Sequence, residues 1–152
     1  MSDEVERANG LVPVQYHQFE IRDEEEHLGG ARRERGHDGL VDVTHGAVTV
    51  LTGIHTGDVD VTVALHASRP RPDSGDWQEI VEVSAHSASG DLMVRGLMDD
   101  LDEELPVLSF RGPGDYRLRI HARGRDTAFD LAPDEVTEWY LIQAWPAPPN
   151  KE

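Results

Sequence analysis

Residues 59–66, Val59-Asp60-Val61-Thr62-Val63-Ala64-Leu65-His66, set Val59, Val61, Val63 and Leu65 against Asp60, Thr62 and His66. A period of two belongs to a strand with one face turned toward a core, and it excludes a helix over the same stretch. The pattern returns in Trp77 to Ala85, with Val81, Val83 and Ala85 opposite Ile80, Glu82 and Ser84. It returns again in Gly114 to His121, with Tyr116, Leu118 and Ile120 inward and Arg117, Arg119 and His121 outward. Shorter runs, Ala47 to Thr52, Leu92 to Arg95, Leu105 to Phe110 and Glu138 to Trp145, stand between breakers such as Gly57-Asp58 and Ser87-Ala88-Ser89-Gly90. Arg69 to Asp76 reads as a breaker loop, and Pro146-Ala147-Pro148-Pro149 forbids further pairing.

Strands at roughly ten-residue spacing without an amphipathic helix predict an all-β fold, a single antiparallel β-sandwich of about seven to nine strands with long acidic loops. Its core should include Val61, Val63, Leu65, Val81, Val83, Leu92, Tyr116, Leu118, Ile120 and Ile142. The expected organisation is a flexible acidic arm over 1–12, the sandwich over 13–146 and a Pro-rich tail over 147–152. Val14 to Ile21 alternates, but Val14, Tyr16 and Ile21 do not share one parity, which predicts a bulge or an early end. Asp23 to Gly39 holds one aliphatic residue larger than alanine, Leu28, and reads as a long exposed loop. Gly114-Asp115-Tyr116 opens a late strand. There the phenol either bonds back to upstream backbone as a tyrosine corner or is a core tyrosine after an ordinary turn.

Charge narrows the function. Against 14 basic side chains stand 30 acidic ones, a formal charge of −16 on 152 residues. Such a chain lacks the basic footprint needed to bind nucleic acid, and an anionic membrane surface repels it. A basic protein partner fits. The absence of cysteine removes thiolate catalysis, disulfides and Cys-ligated zinc. No apolar run is long enough to span a membrane, and Met1 to Glu6 is acidic with no apolar segment behind it, so the expected location is cytoplasmic.

Catalytic motifs are sparse. His17, His27, His37, His45, His55, His66, His86 and His121 form no His-x-His or His-x₃-His pair. Ser84, Ser87 and Ser89 lie near His86 without a Gly-x-Ser-x-Gly elbow, and no phosphate-cradling glycine loop occurs. Arg32-Arg33-x-Arg35 and Arg123-x-Arg125 read as partners in intramolecular ion pairs. Trp139, Tyr140 and Trp145 read as core and sheet-face residues.

Four segments, in order, resemble the competence protein J (ComJ) family of small bacterial nuclease inhibitors. Tyr16-His17-Gln18-Phe19 looks like its opening strand and Gly46-Ala47-Val48 like its next; Gly114-Asp115-Tyr116-Arg117-Leu118 resembles its Gly-Asp-Tyr strand. Glu138 with Tyr140-Leu141-Ile142 and Ala144 looks like its closing strand, so the likeness runs over residues 14–145. The Asp23 to Gly39 and Arg69 to Asp76 loops are longer than the family pattern. The resemblance implies an inhibitor without catalysis or cofactor that binds a partner nuclease, whose basic cleft an acidic domain can occupy.

The expected contacts are the densest acidic runs: Asp99, Asp100, Asp102, Glu103 and Glu104 first, then Asp23, Glu24, Glu25 and Glu26. Two alternatives stay open. One is a metal-dependent enzyme with a histidine-lined site inside the β-sandwich, and the other is a structural or oligomer-forming sandwich with no soluble partner.

Overall fold

The computed structural model describes residues 4–23, 34–35, 41–44, 47–71, 75–87, 89–95, 105–129 and 131–147. These hold ten strands and no helix: β1 Glu4–Gln15, β2 Gln18–Arg22, β3 Glu34–Arg35, β4 Val41–Thr44 and β5 Ala47–Leu51, then β6 Thr56–His66, β7 Glu79–Ser87, β8 Met93–Arg95, β9 Gly114–Arg123 and β10 Trp139–Pro146. One sheet joins them in the order β3-β4-β5-β2-β1-β6-β10-β9-β7, with β8 paired to β2 off that path. All-β was expected and is found; the antiparallel sandwich is not. The sheet is mixed, because β10 runs parallel to β6, and it curls into a nearly closed, barrel-like layer. Local alternation reports which residues face the core. It does not report that strands seventy residues apart lie side by side.

The register turns alternation into a core. Val63, Ile142, Ile120 and Val81 stand in one row across β6, β10, β9 and β7, and Leu65, Ala144, Leu118 and Val83 form the next. All ten expected core residues are buried. Each such aliphatic side chain contributes about 1.5–3 kcal/mol on leaving water.

Tyr116 does form a tyrosine corner. Its hydroxyl donates to the Gly112 carbonyl at 2.7 Å and accepts from the Arg111 amide at 3.0 Å.

Three expectations need correction, and a fourth holds in one of its two forms. Residues 4–12 are not an arm within the described chain: they form β1, whose weak side-chain pattern is compensated by backbone pairing to β6 along its length. Asn9 adds bonds to Asp60 and Thr62 across that pair. Of the two expectations for the parity break near Tyr16, the early end holds and the bulge does not: β1 ends at Gln15 in a two-residue turn, with φ of 56° at Tyr16 and 66° at His17. The positive φ at both positions matches the twist of a tight hairpin, which Asn-Gly usually supplies. Leu105 to Phe110 is irregular, because Pro106 has no amide hydrogen and the Ser109 hydroxyl accepts from the Leu92 amide. The Asp23 to Gly39 stretch is not a loop throughout, since it contains β3 and a buried Asp23.

The outward face of β9 is also covered. Arg119 is 2% exposed and His121 0%. Across the sheet Arg119 pairs with Gln143 on β10 and Glu82 on β7. Its guanidinium donates to Glu82 Oε2 (2.8 Å), Gln143 Oε1 (2.8 Å) and the Pro70 carbonyl (2.9 Å), and it stacks on Trp145. Gln143 in turn donates to the Arg71 carbonyl, so Pro70 and Arg71 lie over this face. Partial burial pushes the Glu82 carboxyl up, but the Arg119 hydrogen bond and charge, with Arg117 and Arg69, outweigh it and hold Glu82 below the usual value.

Candidate interaction surface

Three connections meet at one end of the sheet: the Tyr16–His17 turn, the β5–β6 connection over 52–55 and the β9–β10 connection over 124–138. Backbone bonds tie them together. The His17 amide donates to the His55 carbonyl (3.1 Å), Thr52 to His17 (2.8 Å) and His55 to Leu131 (2.8 Å). Beneath them lies Glu138, fully buried, whose carboxylate accepts from the Gly53 amide (3.1 Å), the Ile54 amide (2.6 Å) and the Tyr140 hydroxyl (2.6 Å). Burial and the Glu138 charge push the Tyr140 hydroxyl well above its ordinary value, so it stays a donor at any physiological pH. Gly53 lies so close to the neighbouring connection that a Cβ there would sit 1.8 Å from the Arg125 carbonyl oxygen. Backbone bonds and the Glu138 carboxylate thus link described residues of all three connections.

These connections carry aromatic and apolar side chains into solvent. Tyr16 is 66% exposed, Phe129 64% and Leu131 60%. The His17 ring packs against His55 at 5.2 Å and against Phe129 at 5.9 Å, while Tyr16 meets His55 edge-on at 5.6 Å. Large exposed apolar groups gathered in one place mark an interaction site more often than single ones do. Around them the charge is acidic: Asp58, Asp126, Asp134 and Glu135 are all exposed. Arg125, the one arginine on these connections, is held by Glu79; partial burial disfavours its charge, but Glu79 overrides that and keeps its pKa raised. A cleft of about 390 Å³ opens beside Phe129, lined by Gly53, Gln78, Glu79, Arg125 and Asp126.

Of the acidic residues expected to make contact, only Asp23 is among the described residues. Asp99, Asp100, Asp102, Glu103, Glu104, Glu24, Glu25 and Glu26 lie outside the described residues. Asp23 is described and fully buried. It accepts from the Ser87 hydroxyl (2.5 Å) and from the Ser89 hydroxyl (2.6 Å) and amide (3.2 Å), and so anchors the turn after β7. Those serines therefore serve a carboxylate and not His86, whose ring bonds to Asp115 at 2.8 Å. His121 bonds to the Leu141 carbonyl and His55 to the Thr56 hydroxyl. Among the described residues no three His, Asp or Glu side chains converge as metal ligands.

The aromatic group was not evident in the sequence. Tyr16 sat within an apparent strand, and nothing in Phe129 or Leu131 announces that they project beside it. The one signal in the sequence is the parity break at Tyr16, which predicts a bulge or an early end.

The described residues thus form an all-β, mixed and nearly closed sheet with exposed aromatic side chains and acidic residues at one end. No family model matches the chain, and no curated protein matches it by sequence. Among solved structures it is similar to ComJ of Bacillus subtilis, described as an inhibitor of the DNA-degrading activity of NucA. The two are 18% identical over 97% of this chain and 99% of that one, with a TM-score of 0.62. It is also similar to the product of crocagin biosynthetic gene J, 16% identical over 93% of this chain and 97% of that one, with a TM-score of 0.60. The family resemblance carried by residues 14–145 thus holds at the level of the fold. Among the described residues no helix is long and apolar enough to cross a membrane.

Proposed function

We propose that this chain is a non-catalytic protein-binding domain of the ComJ inhibitor type, using an acidic surface to bind a basic protein such as a nuclease. The observation that carries this reading is the likeness of fold across nearly the whole of both chains, to a protein described as a nuclease inhibitor. A fold alone does not fix a partner. The formal charge of −16 supplies the second support, because a nuclease guides a polyanion into a basic cleft and an acidic domain competes for it. Such a field acts mainly on the rate of encounter.

Within this reading Asp99, Asp100, Asp102, Glu103 and Glu104 steer the approach, with Glu24, Glu25 and Glu26 beside the buried Asp23 as the second set. Five carboxylates within six residues repel one another, and a basic partner relieves that repulsion on docking. Converting the five residues of the 99–104 run to amides should slow association with the DNA-degrading nuclease of the same cells by roughly tenfold or more at low salt. It should also flatten the salt dependence while leaving dissociation nearly unchanged. An unchanged on-rate and salt slope would remove these residues from the mechanism.

A further inference from the structure

Steering accounts for encounter, but it does not hold a complex together once the charges are screened. The described part of the molecule offers one place built for that second task. Tyr16, His17, His55 and Phe129 form a contiguous group of rings, tied to the exposed Leu131 through its backbone bond to His55 and held from below by the Glu138 carboxylate. Rigid aromatic side chains already held in place lose little entropy on binding, which is why they dominate the energetics of interfaces. Tyr16 and His17 both keep positive φ, a conformation costing bulky residues about 1–2 kcal/mol each, and the turn thereby projects the Tyr16 ring out of the sheet.

The surroundings select the occupant. A second copy of this chain would bring another charge of −16 against an acidic rim, and an anionic membrane surface would be repelled in the same way. Asp58, Asp126, Asp134 and Glu135 instead complement lysine or arginine. The cleft beside Phe129, with Asp126 on its wall, has room for such a side chain.

We propose that this end of the sheet is the primary docking surface for a basic protein. The partner seats an apolar side chain on Tyr16, Phe129 and Leu131 and places a flanking lysine or arginine in the cleft next to Asp126. The inference rests on the binding-domain reading above and adds the surface that retains the partner. Apolar contact holds the complex, and the acidic rim excludes partners without positive charge.

The test uses the full chain, carrying p-benzoyl-phenylalanine at position 16, 129, 102 or 80, photolysed in the cells that make it. Ile80 is exposed on β7 and serves as the control, and position 102 samples the acidic run. The expected result is an adduct with one basic protein from positions 16 and 129. A Tyr16→Ala, Phe129→Ala double variant should then bind that protein roughly 30-fold or more weakly, chiefly through faster dissociation, with an unchanged melting temperature. Phe129→Tyr, which keeps the ring, should retain most of the affinity. Adducts from position 102 or 80 alone, or a double variant of unaltered affinity, would overturn this surface and leave the binding-domain reading standing. No adduct from any position, or an adduct only with an acidic protein, would count against both.

Discussion

An Arg119→Ala variant is expected to lose about 3–5 kcal/mol of stability, the range for breaking a buried ion pair by removing one partner. For a chain of this size that corresponds to a fall in melting temperature on the order of 10 °C. The side chain is large and 2% exposed, so its removal leaves both a cavity and stranded acceptors. Gln143 Oε1 and the Pro70 carbonyl lose their donor, and Trp145 loses the cation stacked on it. Glu82 keeps Arg117 and Arg69, which are more exposed and so weaker substitutes.

The same network sets an acid limit. Glu82 titrates below its ordinary value in the folded chain, so its contribution is complete above the unfolded value near 4.5 and is lost as pH falls through the folded one. Urea unfolding of the native protein should therefore weaken more steeply below about pH 5 than that of Arg119→Ala, in which much of the Glu82 contribution is already gone. Parallel pH profiles for the two proteins would show that Arg119 does not hold the carboxylate.

Gly53→Ala should be comparably severe for a different reason. Its methyl group would meet the Arg125 carbonyl oxygen at 1.8 Å and Glu138 Oε2 at 2.9 Å, and the first of these is backbone that cannot swing aside. The β5–β6 and β9–β10 connections must then separate, and the Gly53 and Ile54 amides lose the Glu138 carboxylate. Two buried donors left without an acceptor cost about 1–3 kcal/mol each, so a loss of roughly 3–5 kcal/mol is expected. Gly112→Ala gives the contrast. Its φ of 91° strains an alanine, yet no atom lies within 4 Å, and the cost should stay near 1–2 kcal/mol. If Gly53→Ala melts like Gly112→Ala, the close approach of the two connections is wrong. If it folds but binds its partner weakly, the link between these connections is what binding requires.

What could be read from the chain depended on the range of the interaction. The Val59 to Leu65 alternation, the burial of Tyr116 and Ile142 and the possibility of a tyrosine corner are local properties of single strands, and each is found in place. The Arg123-x-Arg125 pair reads as intramolecular ion-pair partners; Arg125 does pair with Glu79, whereas Arg123 stacks on the Trp77 and Trp139 rings. The parallel neighbours β6 and β10 were not legible, since no residue in either strand carries the identity of its distant partner. Arg119 and His121 alternate as surface residues should, and the contacts that Pro70 and Trp77 make across them are not written in that alternation. Tyr16-His17 lacks the Asn-Gly chemistry of its turn. It was therefore hidden as a turn, and with it the group that Tyr16, His55 and Phe129 form.

The central question is whether this acidic scaffold binds and silences a nuclease. DNA degradation by the nuclease of the same cells, enriched on immobilised heparin and titrated with the purified chain, answers it most directly. A binding inhibitor should suppress degradation as the chain approaches equimolar amounts, and raising the salt concentration should weaken the suppression by slowing encounter. Degradation that continues unchanged through a large excess of the chain at low salt would contradict the proposed function.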